Sequence, residues 1–174
     1  AGGLTGLQIF PDDEIEIIND EGNQICEIVC FDKDGKSELG ILNQKENSKK
    51  SFIKEILNRK DESSLVTNLQ LKKRNLDINK SKSSILFDDK TPSGEKIKIK
   101  SKDKCYVIFS APQNDMLVSE QNPSSDLTIF IKRAKIINDK ELSIIPDPVY
   151  EPNYEKNIDR ETAISFQVKE GDYI

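Results

Sequence analysis

The feature that most constrains the fold is a succession of short apolar runs, each bounded by turn residues. Such runs are typical of β-strands when Gly, Pro, Asn and Asp separate them. The first runs are residues 4–10, 15–18, 23–31 and 37–42, and the turns between them are Pro11-Asp12-Asp13, Asn19–Gly22 and the hairpin pair Asp34-Gly35. This part of the chain therefore predicts an antiparallel meander of strands.

Runs of the same kind continue towards the C-terminus. They are residues 64–71, 83–89, 95–101, 104–112, 126–137 and 141–146, of which the alternating 95–100 predict an edge strand. Only the segment at about 48–59 predicts an amphipathic helix, because its apolar residues recur at helical spacing after a cap at Asn47 or Ser48. Many short strands with one helix favour a mainly β fold, an antiparallel barrel or sandwich.

Composition narrows the chemistry that is open to the chain. Its 174 residues include no histidine, which excludes Ser-His-Asp and Cys-His nucleophiles and histidine-ligated zinc. Any chemistry would have to use carboxylates, lysines, thiols, tyrosines or a cofactor. No motif for such chemistry is found, and we expect no catalytic residue, no metal site and no cofactor in this chain. The net charge of −5 argues against nucleic acid as a partner. No apolar run approaches the roughly 20 residues that cross a bilayer, and no signal peptide is visible, so we expect a cytoplasmic protein without a membrane partner.

Three cysteines invite a metal or redox hypothesis, which strand geometry disfavours. Cys26 and Cys30 fall on the same face of a predicted strand, with Cα atoms roughly 13 Å apart. A disulfide needs a Cα separation of about 4.4–6.8 Å, and two ligands of one zinc ion must also come close together. Cys105, on another strand, can approach one of the two but not both. We predict reduced thiols that fill the core.

One loop is the best candidate for ligand binding. Residues 110–116 follow an apolar strand and offer hydrogen-bonding side chains at its end, where binding groups commonly lie. A plain polar turn is the alternative interpretation. Together with two residues of the earlier strand, the predicted ligand site consists of Gln24, Glu27, Ser110, Gln113, Asn114 and Asp115.

The C-terminal part of the sequence suggests a change of organisation. We predict a β-rich domain over 1–145 and, because prolines are frequent after it, an extended connector over 146–162. Residues 163–174 predict a strand. Leu7–Ile15 and Phe166–Ile174 align with three identical residues, so this strand either pairs back onto the first domain or begins a second, related one.

Two stretches resemble a known family. Residues 21–31 and 168–174 are similar to the urea carboxylase-associated domain, whose signature is a Gly-Asp or Gly-Gln turn, a strand, a Gly-x-Gln turn and then Cys-Asp. Gly22, Gln24 and Cys26 match this signature. Residues 107–116 loosely resemble a later Ser-x-x-Pro-Gln element of the same family.

That family also occurs upstream of a region like the glycine cleavage T-protein, an aminomethyltransferase. The resemblance implies a β-rich, non-catalytic accessory or assembly domain at the N-terminus of an aminomethyltransferase-like protein, whose folate-dependent chemistry lies downstream. Its partners would be downstream domains of the same polypeptide or further copies of the chain. A small-molecule or metal binding domain of the urea carboxylase-associated type is the alternative. Glu27 stands where the family pattern has Asp, which leaves the role of this residue open.

Overall fold

Two antiparallel sheets pack face to face in the computed structural model, which describes residues 3–59, 62–113, 125–135 and 144–145. The first sheet has five strands in the order β4-β3-β6-β1-β8, and the second has three in the order β5-β2-β7. The strands are β1 Gly3–Ile9, β2 Glu14–Asn19, β3 Cys26–Asp32, β4 Ser83–Phe87, β5 Glu95–Lys100, β6 Cys105–Ala111, β7 Leu127–Lys132 and β8 Ile144–Ile145. Both sheets are open within the described residues. The predicted mainly β fold is confirmed, and a sandwich describes it better than a barrel.

Alternation along the strands creates two cores, one on each face of the five-stranded sheet. Successive side chains of a strand point to opposite faces. The inner core lies between the sheets and includes Leu7, Ile9, Ile15, Ile17, Ile28, Ile99, Val107 and Phe109. The second core lies on the outer face of the five-stranded sheet and includes Leu4, Val29, Phe31, Tyr106 and Ile108 together with residues of two helices. Because β3 and β6 are apolar on both faces, they form the centre of a three-layer arrangement.

The helices cover the outer face of the five-stranded sheet. Helix α1 spans Phe52–Leu57 and buries Ile53, Ile56 and Leu57, as the spacing predicted. Its N-cap is Ser51, whose hydroxyl accepts from the Lys54 amide, and neither predicted cap residue serves in that role. Asn47 instead bonds both backbone groups of Ile85, which lies in the edge strand β4.

Helix α2 spans Glu62–Lys73, so the predicted strand over 64–71 is wrong, and the chain has a second helix. This helix contacts α1 and the first strand of the five-stranded sheet. Its amino acids alternate in a way that is typical of a strand.

The predicted meander is also wrong, because consecutive strands belong to different sheets. β1 pairs with β6 and β8, whereas β2 pairs with β5 and β7. The predicted strand over 37–42 is largely a short 3-10 turn at Leu39–Leu42. The tight turn at Asp34-Gly35 does form, closed by the Gly35 amide bonding the Asp32 carbonyl, with Gly35 at a φ of +80°. A single bridge, Phe31 to Ser37, follows it.

The two sheets are tied together at one end by an ion pair. Asp13 is fully buried and accepts from the Phe10 and Ala134 amides, each at 3.0 Å, and from the Arg133 guanidinium. Arg133 also donates to the Gln8 carbonyl at 2.9 Å. The end of β7 is therefore fixed to the turn between β1 and β2.

The edge strand predicted at 95–100 is confirmed as β5, the outermost strand of the smaller sheet. The predicted connector 146–162 and the predicted strand 163–174 lie outside the described residues. In the part of the chain that the structure describes, helices long and apolar enough to cross a membrane are absent.

Candidate functional site

Gln24 is a buried amide that joins three segments. Its Nε2 donates to the Ile25 carbonyl at 3.0 Å and to the Pro112 carbonyl at 2.9 Å, while Oε1 accepts from the Ser125 amide at 2.9 Å. The side chain thus holds the loop before β3 against the end of β6 and the approach to β7. Both Nε2 hydrogens are in use, so the amide is committed to the fold.

The turn before Gln24 brings it into place. Gly22 has a φ of +81°, and a Cβ at this position would meet the Ser93 amide nitrogen at 2.6 Å. Only glycine combines this left-handed backbone with such a close approach. Asn19 then donates to the Gln24 carbonyl at 2.8 Å, which closes the loop between β2 and β3.

Glu27 lies on β3 and supports the N-terminus of α1. Its Oε2 accepts from the Ile53 amide at 2.7 Å, one of the amides that a helix leaves unpaired in its first turn. The residue is fully buried. A carboxylate at this end of a helix also meets the favourable end of the helix dipole. Glu27 therefore attaches the helix to the sheet.

Burial raises the pKa of Glu27 above its ordinary value. Hydrogen-bond donors near the carboxylate favour its charged form and act in the opposite direction. The opposing groups are the Ser83 and Ser51 hydroxyls and the Ile53 and Phe52 amides. Desolvation is the larger effect. Oε1 is also buried, and among the described residues it has no partner with good hydrogen-bond geometry.

Ser110 is the cross-strand partner of Glu27. The two residues face each other in the β3–β6 register and point to the helix-covered side of the sheet. Ser110 is buried, and its hydroxyl, like Glu27 Oε1, has no hydrogen-bond partner among the described groups. The structure therefore brings Glu27 and Ser110 together, and Gln24 contacts the same end of β6 through Pro112.

Of the other predicted ligand residues, the structure describes Gln113. Gln113 follows Pro112 and is exposed, whereas Asn114 and Asp115 lie outside the described residues. The predicted ligand role of these residues stays a prediction. What the geometry adds is a structural role for Gln24 and Glu27.

The thiols lie in the core between the sheets. Cys26, Cys30 and Cys105 are all buried and unpaired by disulfides. A hydrogen bond with Cys105, followed by burial, raises the pKa of Cys30, and burial raises that of Cys26. Cys105 interacts with Cys30, one of the two thiols that it was predicted to approach. With such pKa values Cys26 and Cys30 stay protonated and are poor nucleophiles at neutral pH.

Sequence reasoning missed two features of the outer face of the larger sheet. Arg74 stacks on the Tyr106 ring, with its guanidinium carbon 4.6 Å from the ring centroid, and burial raises the pKa of Tyr106 to about 12. Leu65 and Leu69 of α2 are exposed large apolar residues. The first needed knowledge of the β1–β6 pairing, and the second needed α2 to be identified as a helix. Across the described ranges, clusters of three or more metal-ligating side chains are absent.

Comparison with known proteins gives one informative similarity. The chain is 31% identical, over all its 174 residues, to the trimethylamine-oxide aldolase of Ruegeria pomeroyi, of which it spans 22%. The matched part is the N-terminal part of that larger protein. No protein-family profile and no solved structure matches the chain. The resemblance to the urea carboxylase-associated family therefore stays a prediction, while homology to the N-terminal part of a larger enzyme is established.

Proposed function

We propose that this chain is a non-catalytic accessory or assembly domain of a larger, multidomain enzyme. One observation carries the proposal: the whole chain aligns with the N-terminal 22% of trimethylamine-oxide aldolase, so most of that enzyme lies outside the similarity. The natural partners would then be the other domains of the same polypeptide. A cytoplasmic location is part of this proposal.

The geometry of the polar residues supports a structural role. Gln24 donates its amide hydrogens to two backbone carbonyls, and one carboxyl oxygen of Glu27 accepts from an amide in the first turn of α1. Groups that act on a substrate must be able to contact it, whereas both of these side chains are fully buried. They stabilise the loop before β3 and the helix layer, as expected of residues with a structural role.

A binding experiment tests the proposal. The chain is purified separately from the polypeptide that the natural reading frame encodes after residue 174, and the two are mixed in sedimentation-velocity runs. We expect a stoichiometric complex of the two pieces. Two species that sediment independently, or a reading frame that stops at residue 174, would contradict an accessory role.

A finer proposal concerns the larger protein itself. The stretches that resemble the urea carboxylase-associated domain suggest an aminomethyltransferase-like protein, and the similarity to trimethylamine-oxide aldolase suggests trimethylamine N-oxide as its substrate. Folate-dependent chemistry would then belong to the downstream part. Calorimetric titration with tetrahydrofolate should show binding to the downstream polypeptide and none to residues 1–174. Binding of tetrahydrofolate to residues 1–174 would refute the proposal that folate-dependent chemistry belongs to the downstream part.

A further inference from the structure

Helix α2 divides its apolar residues between the sheet and solvent, since Val66 and Leu71 pack against the second core while two leucines face outward. Its inward face carries Ser64 and Thr67, both fully buried, together with Leu71. Its outward face carries Leu65 and Leu69, which are 56% and 58% exposed. A helix that served only the core of this chain would place its leucines inward and its hydroxyls outward.

Hydrogen bonds to α1 hold α2 in this orientation. The Ser64 hydroxyl donates to the Ile56 carbonyl at 2.7 Å, and the Asn68 amide donates to the Leu57 carbonyl at 3.0 Å. Both acceptors belong to the last turn of α1, whose carbonyls accept no i→i+4 bond within the helix. The Ile56 carbonyl also accepts from the Arg59 amide at 2.9 Å. Rotating α2 to bury its leucines would break both bonds. The exposure of the leucines is therefore a consequence of how the two helices are joined.

Leu65 and Leu69 form a contiguous apolar feature. Residues four apart in a helix lie one above the other on the same face. Scattered single leucines are ordinary on a protein surface, whereas these two are neighbours and form one apolar patch. Lys72 and Lys73 are exposed at the C-terminal end of the same face. The surface thus combines an apolar centre with a cationic rim.

We infer that this surface, Leu65 and Leu69 with Lys72 and Lys73, docks onto the downstream part of the larger enzyme. This inference rests on the proposed function and names the contact through which the accessory domain acts. The chain aligns with only 22% of the relative, so in a protein of that organisation the rest of the same polypeptide would supply the partner. A partner complementary to this surface would offer apolar side chains to the leucines and acidic residues to the lysines, since like charges at a rim oppose association.

The test measures association with the downstream polypeptide by isothermal titration calorimetry. The variant Leu65→Ala/Leu69→Ala removes both apolar side chains, and alanine keeps the helix propensity high. The matched control is Phe130→Ala, since Phe130 is also 56% exposed but lies on the smaller sheet, on the opposite side of the larger sheet from α2. Circular dichroism should show unchanged thermal midpoints for both variants, because all three side chains are largely exposed.

We expect the double variant to raise Kd by roughly 30-fold or more and the control to leave it unchanged. Equal binding by wild type and double variant would overturn the inference and leave the accessory role standing. Absence of binding by the wild-type chain would overturn both. A wild-type chain that dimerises alone through these leucines, with the double variant monomeric in sedimentation runs, would show that a second copy occupies the surface and would also overturn the inference.

Discussion

The attachment of α1 to the sheet through Glu27 leads to a prediction with two variants. Glu27→Gln keeps the shape of the side chain and an oxygen that can accept from the Ile53 amide, but it removes the ionisable group. Glu27→Ala removes the acceptor as well and leaves the Ile53 amide, bonded at 2.7 Å in the native protein, without its partner. Both variants lack the ionisable group. The difference in their free energies of unfolding therefore reports the loss of the acceptor for the Ile53 amide.

The magnitude follows from two contributions. An unsatisfied buried amide costs about 1–3 kcal/mol, and the lost methylene contributes about 0.8 kcal/mol. Glu27→Ala should therefore be less stable than Glu27→Gln by about 2–4 kcal/mol. Urea unfolding followed by far-UV circular dichroism measures this difference as a change in the midpoint at constant slope.

The dependence on pH gives a second, independent result. Since the pKa of Glu27 is raised by burial above the ordinary value of 4.5, the folded state holds the proton more tightly than the unfolded chain does. Its favourable contribution is complete below about pH 4.5 and is lost as the pH rises through the folded-state pKa. Glu27→Gln lacks this loss, so its stability relative to wild type should improve as the pH rises from 4 to 8.

Two results would refute this account of Glu27. The first is a difference below about 1 kcal/mol between the alanine and glutamine variants, because an unsatisfied amide alone should cost that much. The second is a wild type that gains stability relative to Glu27→Gln with rising pH, since that would mean a lowered pKa.

Further predictions concern the loop clamp, the ion pair and the thiols. Gln24→Ala loses three hydrogen bonds and should destabilise the fold by about 3 kcal/mol in urea unfolding; a loss below 1 kcal/mol would show that the clamp is dispensable. Arg133→Met leaves the buried Asp13 carboxylate without its cation and should cost about 2–3 kcal/mol, somewhat less than a fully buried pair because Arg133 is 23% exposed; adding Asp13→Asn should recover part of that loss, and no recovery would contradict the pairing. A thiol reagent should modify the three cysteines only as fast as the protein unfolds, and rapid modification in the native state would contradict their burial.

Local pattern predicted the strands well and their pairing poorly. β5 and β6 follow directly from alternation or continuous apolar character, since these patterns report which faces of a strand are buried. The partners of β1 could not be predicted from these patterns. Leu7 pairs with Val107, which is far away in the sequence, and such a register is determined only by the complete fold. The predicted meander assumed that neighbours in sequence are neighbours in the sheet.

The failure at α2 has a specific physical cause. Residues 64–71 combine leucines, a valine and a threonine at spacings that suit a strand, and they lack an apolar stripe at helical spacing on the buried side. In the folded chain, Ser64 and Asn68 bond the end of α1, an interaction between segments that periodicity does not report. Tertiary contact overrides local preference here.

Two residues of the predicted ligand site have a structural role in the fold. Gln24 and Glu27 stood out because Gln24 matches the Gly-x-Gln turn of the family resemblance and Glu27 stands where its pattern has Asp. The sequence alone could not show that Gln24 meets Pro112 and Ser125, or that Glu27 meets the first turn of α1, because each contact joins residues distant in sequence. A polar residue in an apolar strand is therefore as consistent with a buried structural hydrogen bond as with a ligand-binding role.

The most direct test of the accessory role is a comparison of turnover by three proteins: residues 1–174 alone, the full product of the natural reading frame, and that product without residues 1–174. Each is incubated with trimethylamine N-oxide, and consumption of the substrate is followed by NMR. The account predicts no turnover by residues 1–174 and turnover by the full product, with reduced stability or assembly when the domain is deleted. Turnover by residues 1–174 alone would contradict it.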